Sequence, residues 1–408
     1  MNEKHVGEGY FVSHYNFDEE VLRQLRDMPK RVYVHDVTLR DGEQQAGVAF
    51  RKAEKLEIAR ALDEAGVDRI EAGMPAVSQE DFEAVKEIAK LGLSSKVFAF
   101  SRCLRSDIDL ALKCDVDGVV VEIPSSDHLL RRAYRWDEER AIQLAVDATR
   151  YAHEHGLYVA FFTIDSTRAP FQTAWRLINS VATEGHMDSL VLVDTFGACS
   201  PHAIARFVSL FRSRVGKPLE IHVHNDFGLA VANTVFAVVN GVETVHVSVN
   251  GIGERSGNAS LEQTVMALKL LYGVEVNVRT ERLKKLSKLV EELSRVKLEP
   301  QHPVVGDRIF HIESGIVAGW WVNVEHEYPN EVFPFLPELV GQPPVRVVIG
   351  KKSGRDSLRY KLQKLGIEVS EQEVDRLLTA IKSRAMLLKR DLTDEEVVEL
   401  VQRLRSAG

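Results

Sequence analysis

The chain has 408 residues, 45% of them apolar and 27% charged, with a net charge of −8. That supplies one large core and a smaller one, and an acidic surface of this kind does not suit nucleic acid. No apolar run approaches the ~18 residues of a membrane span, the N-terminal MNEKHVGEGYFVSHYNFDEE has no secretion-signal block, and Cys103, Cys114 and Cys199 lack the CxxC spacing of a zinc knuckle or a disulfide framework. No membrane partner and a cytoplasmic location are the expectation.

Residues 1–30 read as an N-terminal extension with a short amphipathic helix over 17–28. From residue 31 a unit repeats: a short β-branched run ends in polar or glycine residues, and an amphipathic helical stretch follows. The predicted strands are 32–37, 67–73, 96–101, 117–126, 157–164, 189–195, 219–224 and 243–250. The helices between them fall at about 51–65, 78–91, 105–114, 137–155, 171–184, 201–215, 228–240 and 260–272, with Gly66 and Gly156 as C-terminal stops. Eight such units match a (β/α)8 TIM barrel over 31–275. A doubly wound sheet is the alternative, but it favours a glycine-rich phosphate turn after its first strand, where this chain has Arg40-Asp41-Gly42-Glu43-Gln44. Residues 276–408 change character. A charged helix near 279–297 leads into an aromatic, proline-containing stretch and then into further helices. This is a smaller, mostly helical C-terminal subdomain. Its Trp320, Trp321, Phe333 and Phe335 suit either its own core or packing on the barrel or a second subunit.

In a barrel, chemistry sits at the C-terminal ends of the strands. Those ends carry Arg40, Asp41, Glu43 and Gln44; Glu71; Arg102; Ser125 and Ser126; Thr163 and Asp165; Asp194 and Thr195; and His222, His224, Asn225 and Asp226. His222 and His224, two apart on a strand, share one face. With Asp41 they make a two-histidine, one-carboxylate set for Zn, Mn or Mg. A lone HxH is weak, and Arg40-Asp41 at the first strand end strengthens it. The planar fork of Arg40 suits a carboxylate or enolate, and Thr195 can donate its hydroxyl to the same group. A metal and an arginine at one ketone oxygen describe carbon–carbon bond formation or cleavage beside a carbonyl.

The segments HDVTLRDGEQQAG, IEAGMPAVSQEDFE, IPSSDHL, VDTFG, HVHNDFGLAVAN and NGIGERSGNASLE, in that order, resemble the metal-dependent Claisen-condensing enzymes. These are the 2-isopropylmalate, homocitrate and citramalate synthases, relatives of hydroxymethylglutaryl-CoA lyase. The likeness covers residues 32–270 and extends through FHIESGI and GKKSGR. It implies Asp41, His222 and His224 as metal ligands with Asn258 on or beside the metal. It also implies Arg40 and Thr195 as 2-oxo acid contacts, Glu43 as a group that holds or tunes the substrate, acetyl-CoA as cosubstrate, and a homodimer. Gln44, Glu71, Arg102, Ser126 and Thr163 complete the expected substrate-binding set. The implied reaction joins acetyl-CoA to a 2-oxo acid, giving a 2-substituted malate and CoA.

The chain departs from the family pattern in places. Ile164 stands where the fifth strand usually ends in glutamate, Ile312 and Val317 replace two histidines, and Lys352 replaces a third. The proton-removing group is therefore open among His311, Glu313, Glu43 and Asp165. A metal-dependent carbon–carbon lyase or decarboxylase is the second reading, because it could dispense with that base. A non-catalytic metal-binding regulator ranks third, since Arg40 and Thr195 would serve nothing there.

Overall fold

In a computed structural model of the chain, residues 5–25 and 27–406 are described. Eight parallel strands follow one another around a ring: β1 (Arg31–Asp36), β2 (Arg69–Glu71), β3 (Lys96–Arg102), β4 (Gly118–Pro124), β5 (Tyr158–Ile164), β6 (Ser189–Asp194), β7 (Leu219–Val223) and β8 (Thr244–Val247). β8 pairs with β1, Val245 opposite Val34, so the sheet closes. Closure removes both sheet edges and excludes the doubly wound alternative. The intervening helices are α1 (Lys52–Ala65), α2 (Gln79–Ala89), α3 (Arg105–Cys114), α4 (Glu138–Glu154), α5 (Phe171–Glu184), α6 (Pro201–Arg212), α7 (Ala230–Val239) and α8 (Leu261–Met266). Local chemistry sets their ends. Ser78 accepts from the Asp81 amide at the start of α2, Ser200 and Pro201 open α6, and Gly66 ends α1 at φ +83°. α8 is shorter than its expected span because the chain widens into a π-turn over Ala267–Leu271. The expected helix over 17–28 is confined to Glu19–Gln24, and Arg26 lies outside the described residues.

Alternation along each strand sends one set of side chains inward. Phe98, Phe100, Val120, Ala160, Phe162, Val191 and Val193 form an apolar cluster of that interior set. The same parity on β7 carries Glu220, His222 and His224, so the HxH pair stands on the face that lines the ring. After the barrel, α9 (Leu283–Ser294) completes a unit that runs from His14 to Leu298.

The other unit joins the N-terminal residues up to Ser13 to those from Glu299 onward. Its N-terminal hairpin pairs Val6–Gly7 with Tyr10–Phe11, and the Leu336 amide donates to the Gly9 carbonyl at 2.7 Å. A parallel pair sets His311–Ile312 beside Arg346–Val347. Four helices belong to this unit: α10 (Gly315–Val324), α11 (Arg355–Lys364), α12 (Glu371–Leu388) and α13 (Asp394–Ser406). Ile312, Trp321, Leu358, Ile381 and Val397 share one core there. Of the two expected tryptophans, Trp321 is 7% exposed and packs edge-on against Phe333, whereas Trp320 is 47% exposed. Trp321 and Phe333 therefore serve their own core.

Candidate active site at the barrel mouth

Three side chains from distant parts of the sequence meet at the C-terminal end of the ring. Asp41 follows β1, while His222 and His224 project from the end of β7. Nε2 of His224 lies 3.3 Å from Oδ1 of Asp41, and Nε2 of His222 lies 3.8 Å from Oδ2. All three are buried, and one ligand atom from each falls within 4.8 Å of the others. Among the described residues, neither ring nitrogen of His222 nor Oδ1 of Asn258, all buried, has a hydrogen-bond partner. Unpaired buried polar atoms are costly, and a cation would satisfy Nε2 of His222, the ring nitrogen that faces Asp41.

The protonation states suit that role. Burial works to raise the Asp41 pKa, but Arg40, His224 and His222 outweigh it and hold the carboxyl well below its usual value. Burial, reinforced by His224, holds His222 well below the usual imidazole range, so it is neutral. A carboxylate and a neutral imidazole are the forms that bind a metal.

The loop after β8 closes this corner. Nδ2 of Asn258 donates to Oδ1 of Asp41 at 2.7 Å and to the Ile252 carbonyl at 3.1 Å. Its tight course needs glycine twice. A Cβ on Gly257, whose φ is +85°, would meet the Gly251 carbonyl at 1.9 Å. One on Gly253 would meet Nδ2 of Asn258 at 2.2 Å and Oδ1 of Asp41 at 2.7 Å.

Arg40 stands beside the cluster. Its Nη1 donates to Oδ2 of Asp41 at 2.7 Å and to Oε1 of Gln44 at 3.2 Å, and its Nε pairs with Glu71. Its guanidinium carbon lies 4.1 Å from the centre of the Phe100 ring and 5.8 Å from that of Phe162. Three tethers fix the fork, and its buried Nη2 has no partner among the described residues, which leaves it open to an oxyanion. Thr195 accepts from the Asp165 amide at 2.8 Å, which leaves its hydroxyl proton free to donate.

Other residues expected at the site have partners of their own. Thr163 has the wrong parity: it is fully buried outside the ring and donates to the Val191 carbonyl at 3.2 Å. Glu43 pairs with Lys55 at 2.5 Å and accepts from the Phe50 amide at 2.8 Å, which pins the loop after β1. Arg102 is held by Asp107 through bonds of 2.7 and 3.0 Å. Ser126 donates to Asp165 at 2.6 Å, and Asp165 also takes Arg168 and His128, at 2.6 and 2.8 Å. His311 and Glu313 belong to the second unit. There Glu313 accepts from the Lys352 amide at 3.0 Å, and His311 borders a cavity of about 460 Å³ with Arg308, Arg346 and Arg390.

Two features escape the sequence reading. Below the mouth, His35 and His246 stack at 4.2 Å with their planes 9° apart. His35 bonds Glu71 at 2.9 Å and His246 bonds Glu220 at 2.8 Å, while Glu220 also pairs with Arg69 at 2.7 Å. Although His35, Glu220 and His246 are close enough to suggest a second metal centre, imidazole lone pairs lie in the ring plane. Two stacked rings aim them nearly parallel, so they cannot converge on one ion. The cluster is a charge-balanced network, and through Glu71 it sets Arg40 in place. The second feature is Glu122 on β4, an inward carboxyl between Arg102 of β3 and Phe162 of β5. The only signal for both in the sequence is a charged or imidazole residue at inward parity inside a β-branched run.

Residues 31–290 match the HMGL-like family model, and residues 304–389 match the model described as the homocitrate synthase post-HMGL domain. This chain belongs to the HMGL-like family. Its curated relatives in that family include homocitrate synthase AksA of Methanopyrus kandleri, 42% identical over 95% of this chain and 96% of that protein. The (R)-citramalate synthase CimA of Methanocaldococcus jannaschii is 39% identical over 91% of this chain and 74% of its own length. The 2-isopropylmalate synthase of the same organism is 38% identical over 95% of this chain and 75% of its length. Among solved structures, the HMG-CoA lyase of Bacillus subtilis superposes with a TM-score of 0.60 at 23% identity, covering 66% of this chain and 96% of the lyase. That likeness is one of fold.

Proposed function

We propose that this chain is a C-acyltransferase that joins the acetyl group of acetyl-CoA to a 2-oxo acid by metal-assisted Claisen condensation. The observation that carries the reading is the convergence of Asp41, His222 and His224 beside an arginine fixed by three tethers with one donor left free. In this reading Asp41, His222 and His224 hold a divalent cation, with Asn258 at its edge. Such a cation polarises the oxo group and neutralises charge developing on its oxygen. Arg40 and Thr195 bind and orient the acceptor's carboxylate. The synthase relatives favour condensation over the lyase or decarboxylase alternative, because they share both the barrel and the following region at about 40% identity.

The mouth also bears on the acceptor. A second carboxylate on the substrate would need a second free cation. Arg102 is taken by Asp107 and Arg168 by Asp165, and Glu122 adds a carboxyl. The acceptor is therefore a monocarboxylic 2-oxo acid. The test is thiol release from acetyl-CoA with Mn²⁺ or Mg²⁺ and a panel of acceptors. Pyruvate or 2-oxoisovalerate should give a larger kcat/KM than oxaloacetate or 2-oxoglutarate by at least ~10-fold, the effect of one unpaired charge at ~1.4 kcal/mol or more. A preference for the dicarboxylic acids would refute the acceptor assignment, and no release with any of them would refute the condensation.

A further inference from the structure

We propose that Glu122 is the general base that removes the proton from the methyl group of the acyl thioester. This rests on the condensation reading above. A thioester methyl is a weak acid, and a positioned base contributes ~10²–10⁴-fold. The carboxyls around the mouth are otherwise committed. Glu71 holds Arg40 and His35, and Asp41 holds Arg40 and Asn258. Asp165 takes Ser126 and Arg168, and Asp194 takes Thr167 and the amides of Ala198 and Cys199. Glu43 is tied to Lys55. The Glu122 carboxyl has no hydrogen bond or ion pair among the described residues, and the residue is only partly buried.

Its place follows from strand parity. Glu122 stands two residues beyond Val120, on the face that lines the ring. Its backbone neighbours are Arg102 on β3 and Phe162 on β5. Phe162 and Phe100 are the rings on which the Arg40 guanidinium lies. The carboxyl thus shares a wall with the residue proposed to bind the acceptor, and Ile164, two residues beyond Phe162 on β5, keeps that corner apolar. The charged and titratable groups facing it are Arg40, Arg102, Asp107, Cys103 and Tyr134. Burial pushes the Glu122 pKa up to about 7, with Arg40 and Arg102 opposing and Asp107 adding. Burial also raises the Cys103 thiol and the Tyr134 phenol, so both stay neutral near pH 7. A base poised near neutrality combines an ionised form with enough basicity to draw the proton.

The step balances without another reagent than water. The Glu122 carboxylate takes a methyl proton, and the C–H electron pair becomes the enolate double bond. The enolate carbon bonds to the oxo carbon, whose π pair moves to oxygen; that alkoxide takes a proton from water, and the Glu122 carboxyl returns its proton to the hydroxide left behind. Water then adds to the thioester carbonyl, the acyl–sulfur bond breaks, and CoA leaves as the thiol.

The experiment compares wild-type enzyme with E122Q and E122D, all metal-loaded and matched for melting temperature and metal content. E122Q should lose ~10²–10⁴-fold in kcat with KM for the oxo acid within about threefold. In wild type kcat/KM should rise with pH through about 7, and E122Q should lack that limb. E122D, which keeps a carboxyl, should recover part of the rate. If wild type releases CoA and E122Q keeps kcat within threefold, or changes only KM, the base assignment is overturned while condensation stands. If wild type releases no CoA with any acceptor, the condensation reading fails and takes this assignment with it.

Discussion

The central constraint at the residue scale is that charges buried in the ring must be paired or bind a ligand. Asp41, His222 and His224 were legible because an HxH strand and an Arg-Asp strand end are unusual together. His35, Glu220, His246 and Glu122 were not, because each sits inside an apolar run whose inward face only closure defines. That buried network has a pH signature. Burial, with His246 beside it, lowers the His35 pKa to about 4. Its unfolded value is ~6.5, so its contribution is complete above pH ~6.5 and is lost as pH falls through 4. Burial raises the Asp36 pKa to about 7, so its contribution is complete below pH ~3.8 and is lost as pH rises through 7. The two trends oppose each other over one window. Removing the first in a His35→Gln variant should tilt the profile toward acid stability by roughly 2.4 kcal/mol between pH 7 and about pH 4.5, from the lowered pKa at ~1.36 kcal/mol per unit. Denaturant unfolding at pH 4.5 and pH 7, by about those settings, checks it. Parallel wild-type and variant profiles would contradict it.

Elements decide where those residues go. The strand–helix alternation and most helix limits could be read directly from caps and periodicity, as for α3 at Arg105–Cys114. Register could not: Thr163 read as a mouth residue and lies outside the ring, because one residue of slip on a strand reverses the face. The loop after β8 shows the same sensitivity. Gly253 has no room for a methyl group between Asn258 and Asp41. A Gly253→Ala variant should bind the divalent metal at least ~10-fold more weakly, the usual result of disturbing what orients a ligand. Calorimetric metal titration at equal melting temperature tests this, and unchanged affinity would mean that the loop does not set Asp41.

For the whole molecule, each unit has its own core, the ring interior in one and the cluster around Trp321 and Ile381 in the other. A ligand stabilises only the unit that binds it, by about 2.7 kcal/mol at a hundredfold excess over Kd. Chelation should therefore lower one thermal transition, while Ile381→Ala, at a cost of ~2–5 kcal/mol, should lower another. If both perturbations shift a single common transition equally, the two cores do not unfold separately. The C-terminal aromatics show the limit of reading at this scale: composition alone cannot assign Trp321 to a core and Trp320 to the surface. The central claim concerns the reaction, and one measurement meets it directly. Metal-loaded enzyme is given acetyl-CoA labelled in its methyl carbon together with pyruvate or 2-oxoisovalerate, and the products are resolved by NMR beside an Asp41→Asn control. The account predicts the label in a methylene bonded to a tertiary alcohol carbon, absent from the control. Label recovered only in acetyl-CoA or acetate, with the oxo acid consumed or intact, would contradict it.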